Sequence, residues 1–258
     1  MIRMEKTFTI NATPYSVRCL LYGRENAPYR RVIVCCHGFG GHKEGGAMQR
    51  FAEYMLARHH ELAVICFDWP CHGEDVRRKL TLSDCDAYLR LVCDYAKEKL
   101  GARELYLYAT SFGGYLALKY IAEHGNPFVK AAFRCPAVPM GEVLERSIMT
   151  EENRALLAKG KDTLVGFDRK IRLSADFLRE LREADIRQIS FRDWAEDILI
   201  LHGTKDEIVP FEAVRRFADA NRIAFLSTQN ADHRYLDPAK MTEAIRQVED
   251  FFDLLSIE

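Results

Sequence analysis

The sequence is short of net charge before anything else: 37 basic residues against 38 acidic ones leave a formal charge of -1. No global field exists to attract nucleic acid or an anionic bilayer surface, so neither is expected as a partner. No apolar run is long enough to cross a membrane, and the start, Met1-Ile2-Arg3-Met4-Glu5-Lys6, lacks the apolar core of a secretory signal. The expected compartment is therefore cytoplasmic. Among eight cysteines no C-x-x-C pair occurs, which removes the commonest metal and redox spacings. Cys35 and Cys36 are adjacent in a strand-like run, where neighbours face opposite sides. Cys66 lies in another apolar run and Cys93 in a helical one, the places where cysteine serves as a small hydrophobe. All eight are read as reduced thiols, with Cys71, in a polar loop, the one expected to be reactive. Internal repeats and low-complexity linkers are missing as well. The glycine-rich Gly38-Phe39-Gly40-Gly41 fits neither dinucleotide nor P-loop spacing, because the third glycine of G-x-G-x-x-G would fall on Lys43. No metal or organic cofactor is expected.

What is present is an ordinary globular composition, 48% hydrophobic and 29% charged over 258 residues. That length suits one large domain with a full core, 1–258. Lys6 to Ile10 and Tyr15 to Tyr22 alternate like paired antiparallel strands about Asn11-Ala12-Thr13-Pro14. Gly23 to Tyr29 reads as a polar loop. From Arg31 onward strands and helices alternate. Arg31–Cys36, Leu62–Phe67, Val129–Cys135, Ile198–His202 and Arg222–Ser227 read as strands, mostly continuous apolar runs of the kind covered on both faces. Ala47–His59, a segment capped at Ser83 and running to Leu100, Phe211–Ala220 and Pro238–Leu255 read as helices. His59, His60 and His124 fall at helix ends and are expected on the surface. The pattern predicts a mainly parallel sheet of about eight strands with helices on both faces.

The alternation fails once, between Pro136 and Asp193. The segment is too long for an ordinary connection and carries short, charged helical pieces: Glu142 to Arg146, Glu152 to Lys159 and Ala175 to Glu183. It would sit at the strand-end edge, where open α/β sheets bind ligands, and is expected to form a small cap over the site at 136–193.

The chemistry concentrates at Leu105 to Gly114. An apolar, β-prone run stops at Ser111, small residues follow, and Tyr115 to Ala122 has helical periodicity. A serine between a buried strand and a helix is either a helix cap or a nucleophile elbow. Four further segments accompany it: His37-Gly38-Phe39-Gly40-Gly41-His42-Lys43-Glu44, Phe67-Asp68-Trp69-Pro70-Cys71-His72-Gly73-Glu74, Leu201-His202-Gly203-Thr204-Lys205-Asp206-Glu207-Ile208-Val209-Pro210, and Ala231-Asp232-His233. In this order the five resemble the α/β-hydrolase superfamily, within it the serine hydrolases that include cinnamoyl or feruloyl esterases and serine aminopeptidase-like enzymes. The resemblance spans nearly the whole chain outside 136–193.

That resemblance implies an α/β-hydrolase fold with Ser111 as nucleophile, His233 as base and Asp206 as acid. The main-chain N–H groups of Phe39 and Phe112 would form the oxyanion hole. The trio makes chemical sense: an imidazole must take the serine proton, and a buried carboxylate must fix the imidazole's tautomer. Glu207 and Asp232 are rival acids. His37 is expected to order the oxyanion loop, His72 to organise the loop after Asp68, and His42 to be an exposed loop residue with a place in the pocket as the alternative. Two departures stand out. Ala109 replaces the first glycine of G-x-S-x-G, and Arg234 directly follows His233. The expected activity is hydrolysis of a small-molecule carboxylic ester, with amide or peptide hydrolysis, or a non-catalytic binding role, as alternatives. A homo-oligomer is left open.

Overall fold

The computed structural model describes residues 3–24 and 29–254, so most of the expected loop at Gly23 to Tyr29 lies outside the described residues. Among the described residues ten strands form two sheets. The larger follows the order β1 (Arg3–Ala12), β2 (Tyr15–Arg24), β4 (Leu62–Phe67), β3 (Arg31–Cys36), β5 (Glu104–Thr110), β6 (Lys130–Arg134), β9 (Ile198–Gly203), β10 (Ala224–Thr228). β1 pairs antiparallel with β2 and β2 with β4, whereas every pairing from β4 to β10 is parallel. The continuous apolar runs become the central strands. Every residue of β3, β4 and β9 is buried, because helices cover both faces. β10, at the sheet edge, exposes most of its side chains.

The helices divide between the faces. α1 (Gly46–Arg58) and α8 (Pro238–Phe252) pack one side through Phe51, Met55, Ile245 and Val248. α2 (Leu82–Glu98), α3 (Ser111–His124) and α7 (Phe211–Asn221) cover the other through residues such as Tyr88, Leu118 and Phe217. The 136–193 segment joins this second side. It contains α4 (Met140–Val143) continuing into a π turn at Leu144–Ile148, then α5 (Glu151–Ala158), a small hairpin of β7 (Thr163–Val165) and β8 (Ile171–Leu173), and α6 (Ala175–Glu183). Phe177, Leu178 and Leu181 of α6 are buried in the core it shares with α2 and α3, each worth about 1.5–3 kcal/mol. Two polar ties lock it down: Tyr115 donates to the Ala184 carbonyl at 2.9 Å, and the Leu82 amide donates to Glu180 at 2.8 Å.

Three expectations need correction, and one element was missed. α2 is capped by Thr81, whose hydroxyl accepts from the Asp84 amide at 3.1 Å, so Ser83 lies inside the helix. His59 is buried at the end of α1, with Nε2 2.8 Å from Glu249, because α8 packs over that helix end. Cys71 is half-buried, and burial, helped by the nearby Asp75 charge, pushes its thiol up to about 12, which makes it unreactive. The β7–β8 hairpin was not visible in the sequence, since strands of three residues are too short to establish a two-residue period.

Candidate active site

Ser111 sits where β5 ends and α3 begins. Thr110 is still extended, at φ -127° and ψ 140°, and Ser111 turns to φ 51°, the left-handed region that a side-chain-bearing residue adopts at a cost. The chain then enters the helix directly, so the serine is presented at the tip of the turn. Gly113 is required here: a Cβ on it would collide with the backbone carbonyls of Cys36 and His37. Gly38 is similarly constrained, since a Cβ there would lie 3.1 Å from the Ser111 Cβ. Ala109 is different. It is a fully buried residue of β5 paired in register with Cys36 and Phe133, and its φ is not positive, so the backbone there makes no demand for glycine.

The structure brings Ser111, His233 and Asp206 together from three separate strand ends. Ser111 Oγ lies 3.0 Å from His233 Nε2, and His233 Nδ1 lies 2.7 Å from Asp206 Oδ2. The rival acids are otherwise engaged. Glu207 accepts from the His233 backbone amide at 3.3 Å, and Asp232 accepts from the amides of Arg234 and Leu236 in its own turn. Asp206 is held by the turn after β9, its Oδ1 accepting from the amides of Ile208 at 2.9 Å and Val209 at 2.8 Å. Burial alone would raise its pKa, but the hydrogen bonds from His202 and His233 outweigh that and hold the carboxyl well below the usual range.

His202, in β9 four residues before Asp206, is a site residue that no sequence pattern marks. It is fully buried, with Nε2 3.2 Å from Asp206 Oδ2 and 3.1 Å from the Val209 carbonyl. A nitrogen between two acceptors carries the proton, so His202 donates to the same oxygen that meets His233. Its Nδ1 is buried without a partner among the described residues. Cys135, at φ 47°, completes the surround. Cys135, His202 and Asp206 place ligand-type atoms within 4.8 Å of one another, yet a metal there would compete with the donors already holding the carboxylate.

The oxyanion loop follows β3. His37 Nδ1 bonds the Gly38 carbonyl at 2.8 Å, while its Nε2 accepts from the Trp69 amide at 3.3 Å. That pairing fixes a neutral tautomer, and burial lowers the His37 pKa to about 4. His72 is also buried, bonded through Nδ1 to the Pro70 carbonyl at 2.8 Å, with its pKa lowered to about 3 mainly by burial. Asp68 ties the two loops together, accepting from the amides of Lys43 at 2.7 Å and Glu74 at 2.9 Å. The Phe39 and Phe112 rings meet edge to face, 5.6 Å between centroids. Neither residue's amide has an acceptor among the described residues, and both flank the serine, one from the loop and one from the first turn of α3.

A cavity of about 970 Å³ opens over this group, lined by Ser111, His233, Phe39, Phe167 and Ile148 among others. His42 lines it too, so its pocket alternative holds. Arg234 is half-exposed at the rim, 3.4 Å from Asp168 and 5.7 Å over the Phe167 ring. The tip of the β7–β8 hairpin reaches the oxyanion loop, its Arg169 carbonyl lying close to Gly40. Arg134, at the end of β6, was hidden in a strand by sequence; it is 5% exposed and lines the cavity.

A strand-to-helix serine, a mostly parallel sheet and loops converging at the strand ends define a hydrolase-type α/β architecture. The chain belongs to the alpha/beta hydrolase family, whose profile matches residues 33–245. Among solved structures, Est1E from Butyrivibrio proteoclasticus with bound ferulic acid is similar over 95% of this chain and 97% of its own, with TM-score 0.74 and 22% identity. A putative hydrolase from Agrobacterium vitis S4 is similar over 98% and 100%, at TM-score 0.74 and 18% identity. A monoacylglycerol lipase from Paleococcus ferrophilus is similar over 93% and 98%, at TM-score 0.66 and 21% identity. A search of curated proteins finds no match. At these identities the structures establish the shared fold. No helix among the described residues is long and apolar enough to cross a membrane.

Proposed function

We propose that this hydrolase cleaves carboxylic esters of small molecules through an acyl-enzyme. Ser111 attacks the carbonyl, His233 takes its proton and returns it to the leaving alcohol, and Asp206 keeps the imidazole in the tautomer that accepts at Nε2. The amides of Phe39 and Phe112 receive the oxyanion. The observation carrying this reading is the unbroken hydrogen-bonded line from Ser111 Oγ through His233 to Asp206, at 3.0 Å and 2.7 Å. The strained φ of Ser111 supports it, because a simple helix cap would not need a left-handed residue there. The 136–193 segment, as part of the same domain, is the cap in this reading; Ile148, Phe167 and Arg169 from it line the cavity.

The test is direct. Purified protein is expected to hydrolyse p-nitrophenyl butyrate, and Ser111→Ala to lower kcat by roughly 10⁴-fold or more, as for loss of a triad member. A fluorophosphonate probe should label Ser111 alone. Unchanged turnover in Ser111→Ala would overturn the mechanism. Cleavage of the matching p-nitroanilide faster than the ester would assign the protein to amide hydrolysis instead.

A further inference from the structure

Arg134 is a buried cation without a counter-ion. It ends β6 in register with Thr110, the residue before Ser111, and its side chain lies on the α1/α8 face of the sheet. Nε donates to the Tyr108 hydroxyl at 3.1 Å, Nη1 reaches the His233 carbonyl at 3.4 Å, and the guanidinium sits 5.1 Å over the Tyr235 ring. These partners are all neutral. Among the described residues no carboxylate pairs with Arg134 within 4.0 Å and its only hydrogen-bond acceptors are the Tyr108 hydroxyl and the His233 carbonyl, and the residue lines the cavity. A guanidinium stays charged at any working pH, so burying it unpaired is costly unless something anionic completes it.

A second part of the cavity lining also suits an anion. The N-terminus of α1 lines the same cavity through Gly45, Gly46 and Ala47. This thirteen-residue helix has no side-chain cap and no acidic residue in its first turn. The amides of Gly46 and Ala47 have no acceptor among the described residues, and the helix dipole places partial positive charge there. Arg50, one turn on, lines the cavity and forms no ion pair among the described residues. The acids on the walls are otherwise engaged: Asp168 with Arg234, Glu207 and Asp232 with the backbone of the His233 loop.

We propose, resting on the ester-hydrolase reading, that the substrate carries a carboxylate besides its scissile ester. That carboxylate is held between Arg134, Arg50 and the first amides of α1. Its planar pair of oxygens suits the free edge of a guanidinium on one side and two backbone N–H groups on the other. The site therefore selects half-esters of dicarboxylic acids, or esters whose alcohol bears an acid group, over neutral esters of equal size.

The experiment compares two matched pairs: p-nitrophenyl hydrogen adipate with p-nitrophenyl hexanoate, and para-carboxyphenyl butyrate with its methyl ester. At least one anionic member is expected to exceed its neutral twin in kcat/KM by roughly ten- to a hundredfold, mainly through KM, the size of one charge-assisted contact. The ratio should fall with added salt and drop about tenfold in Arg134→Gln. Should Arg134→Gln fail to fold, Arg50→Gln carries the test through the same ratio. Neutral esters cleaved in a Ser111-dependent way with no anionic preference would overturn this proposal and leave the hydrolase reading intact. A preference undiminished in both variants would overturn it as well. No cleavage of any of the four, with Ser111 unlabelled by fluorophosphonate, would remove both.

Discussion

Asp206 is the most crowded acceptor in the site, with two amides on one oxygen and two imidazoles on the other. Its carboxyl is held well below the usual range by the hydrogen bonds from His202 and His233. His37 and His72 are its opposites. Burial keeps both neutral, with pKa lowered to about 4 and about 3, and their rings stand 5.4 Å apart beneath the oxyanion loop. The sign of the consequence follows. Below about pH 6.5 the unfolded chain binds two protons that the folded chain refuses, so stability must fall as pH falls toward 4. Urea denaturation between about pH 4.5 and 6 is expected to show unfolding free energy dropping at a slope approaching roughly 2.5 kcal/mol per pH unit. Asp206 adds loss of the same sign only at lower pH, where its unfolded counterpart begins to protonate. A slope about half as steep across that window would mean that one of these rings is charged in the fold, and a flat profile that both are.

The elbow shows the same specificity at the level of an element. The two small positions flanking Ser111 are not equivalent, although G-x-S-x-G treats them alike. Gly113 faces the carbonyls that end β3, and Gly113→Ala is expected to cost about 3 kcal/mol or more as backbone is forced apart. Ala109 lies in regular strand, and Ala109→Gly is expected to cost only about 1 kcal/mol through lost packing and added chain freedom. Equal costs in urea melts of the two variants would refute this account. The contrast also explains what could be read from sequence. Long apolar runs such as Val32–Cys36 read as doubly covered strands, and Ser111 was legible because it closes one, whereas Asp206 and His233, in turns beyond β9 and beyond the mostly exposed β10, were legible only through the order of motifs that the resemblance supplies. Ala175–Glu183 was legible only as a short charged helical piece, and the structure adds the Ser174 cap, its hydroxyl accepting from the Phe177 amide at 3.2 Å. Arg134 was not legible, because its meaning comes from lacking a partner, which no local pattern records. Neither was His202, whose role depends on Asp206 folding back four residues later.

Across the whole molecule the sheet works as a wall between two cores, with loops that follow β3, β5, β9 and β10 meeting at the cavity. The 136–193 segment is rooted in the core shared with α2 and α3, and its hairpin tip reaches the oxyanion loop. The same two cores enclose the cysteines: seven of the eight are buried and Cys71 half-buried. Burial also pushes several thiols up, Cys93 to about 12 and Cys35 and Cys36 well above their ordinary range. The native chain is thus expected to be silent toward a thiol-specific chromogen such as an aromatic disulfide reagent, and to release eight equivalents once denatured. Rapid colour from the native protein would contradict the enclosure. Cys135 stands beside Asp206, while Cys35, Cys36 and Cys66 are sealed between central strands. The order in which these sulfurs become modified would therefore act as a built-in stopwatch, timing how often the acid's turn opens against how often the sheet itself comes apart.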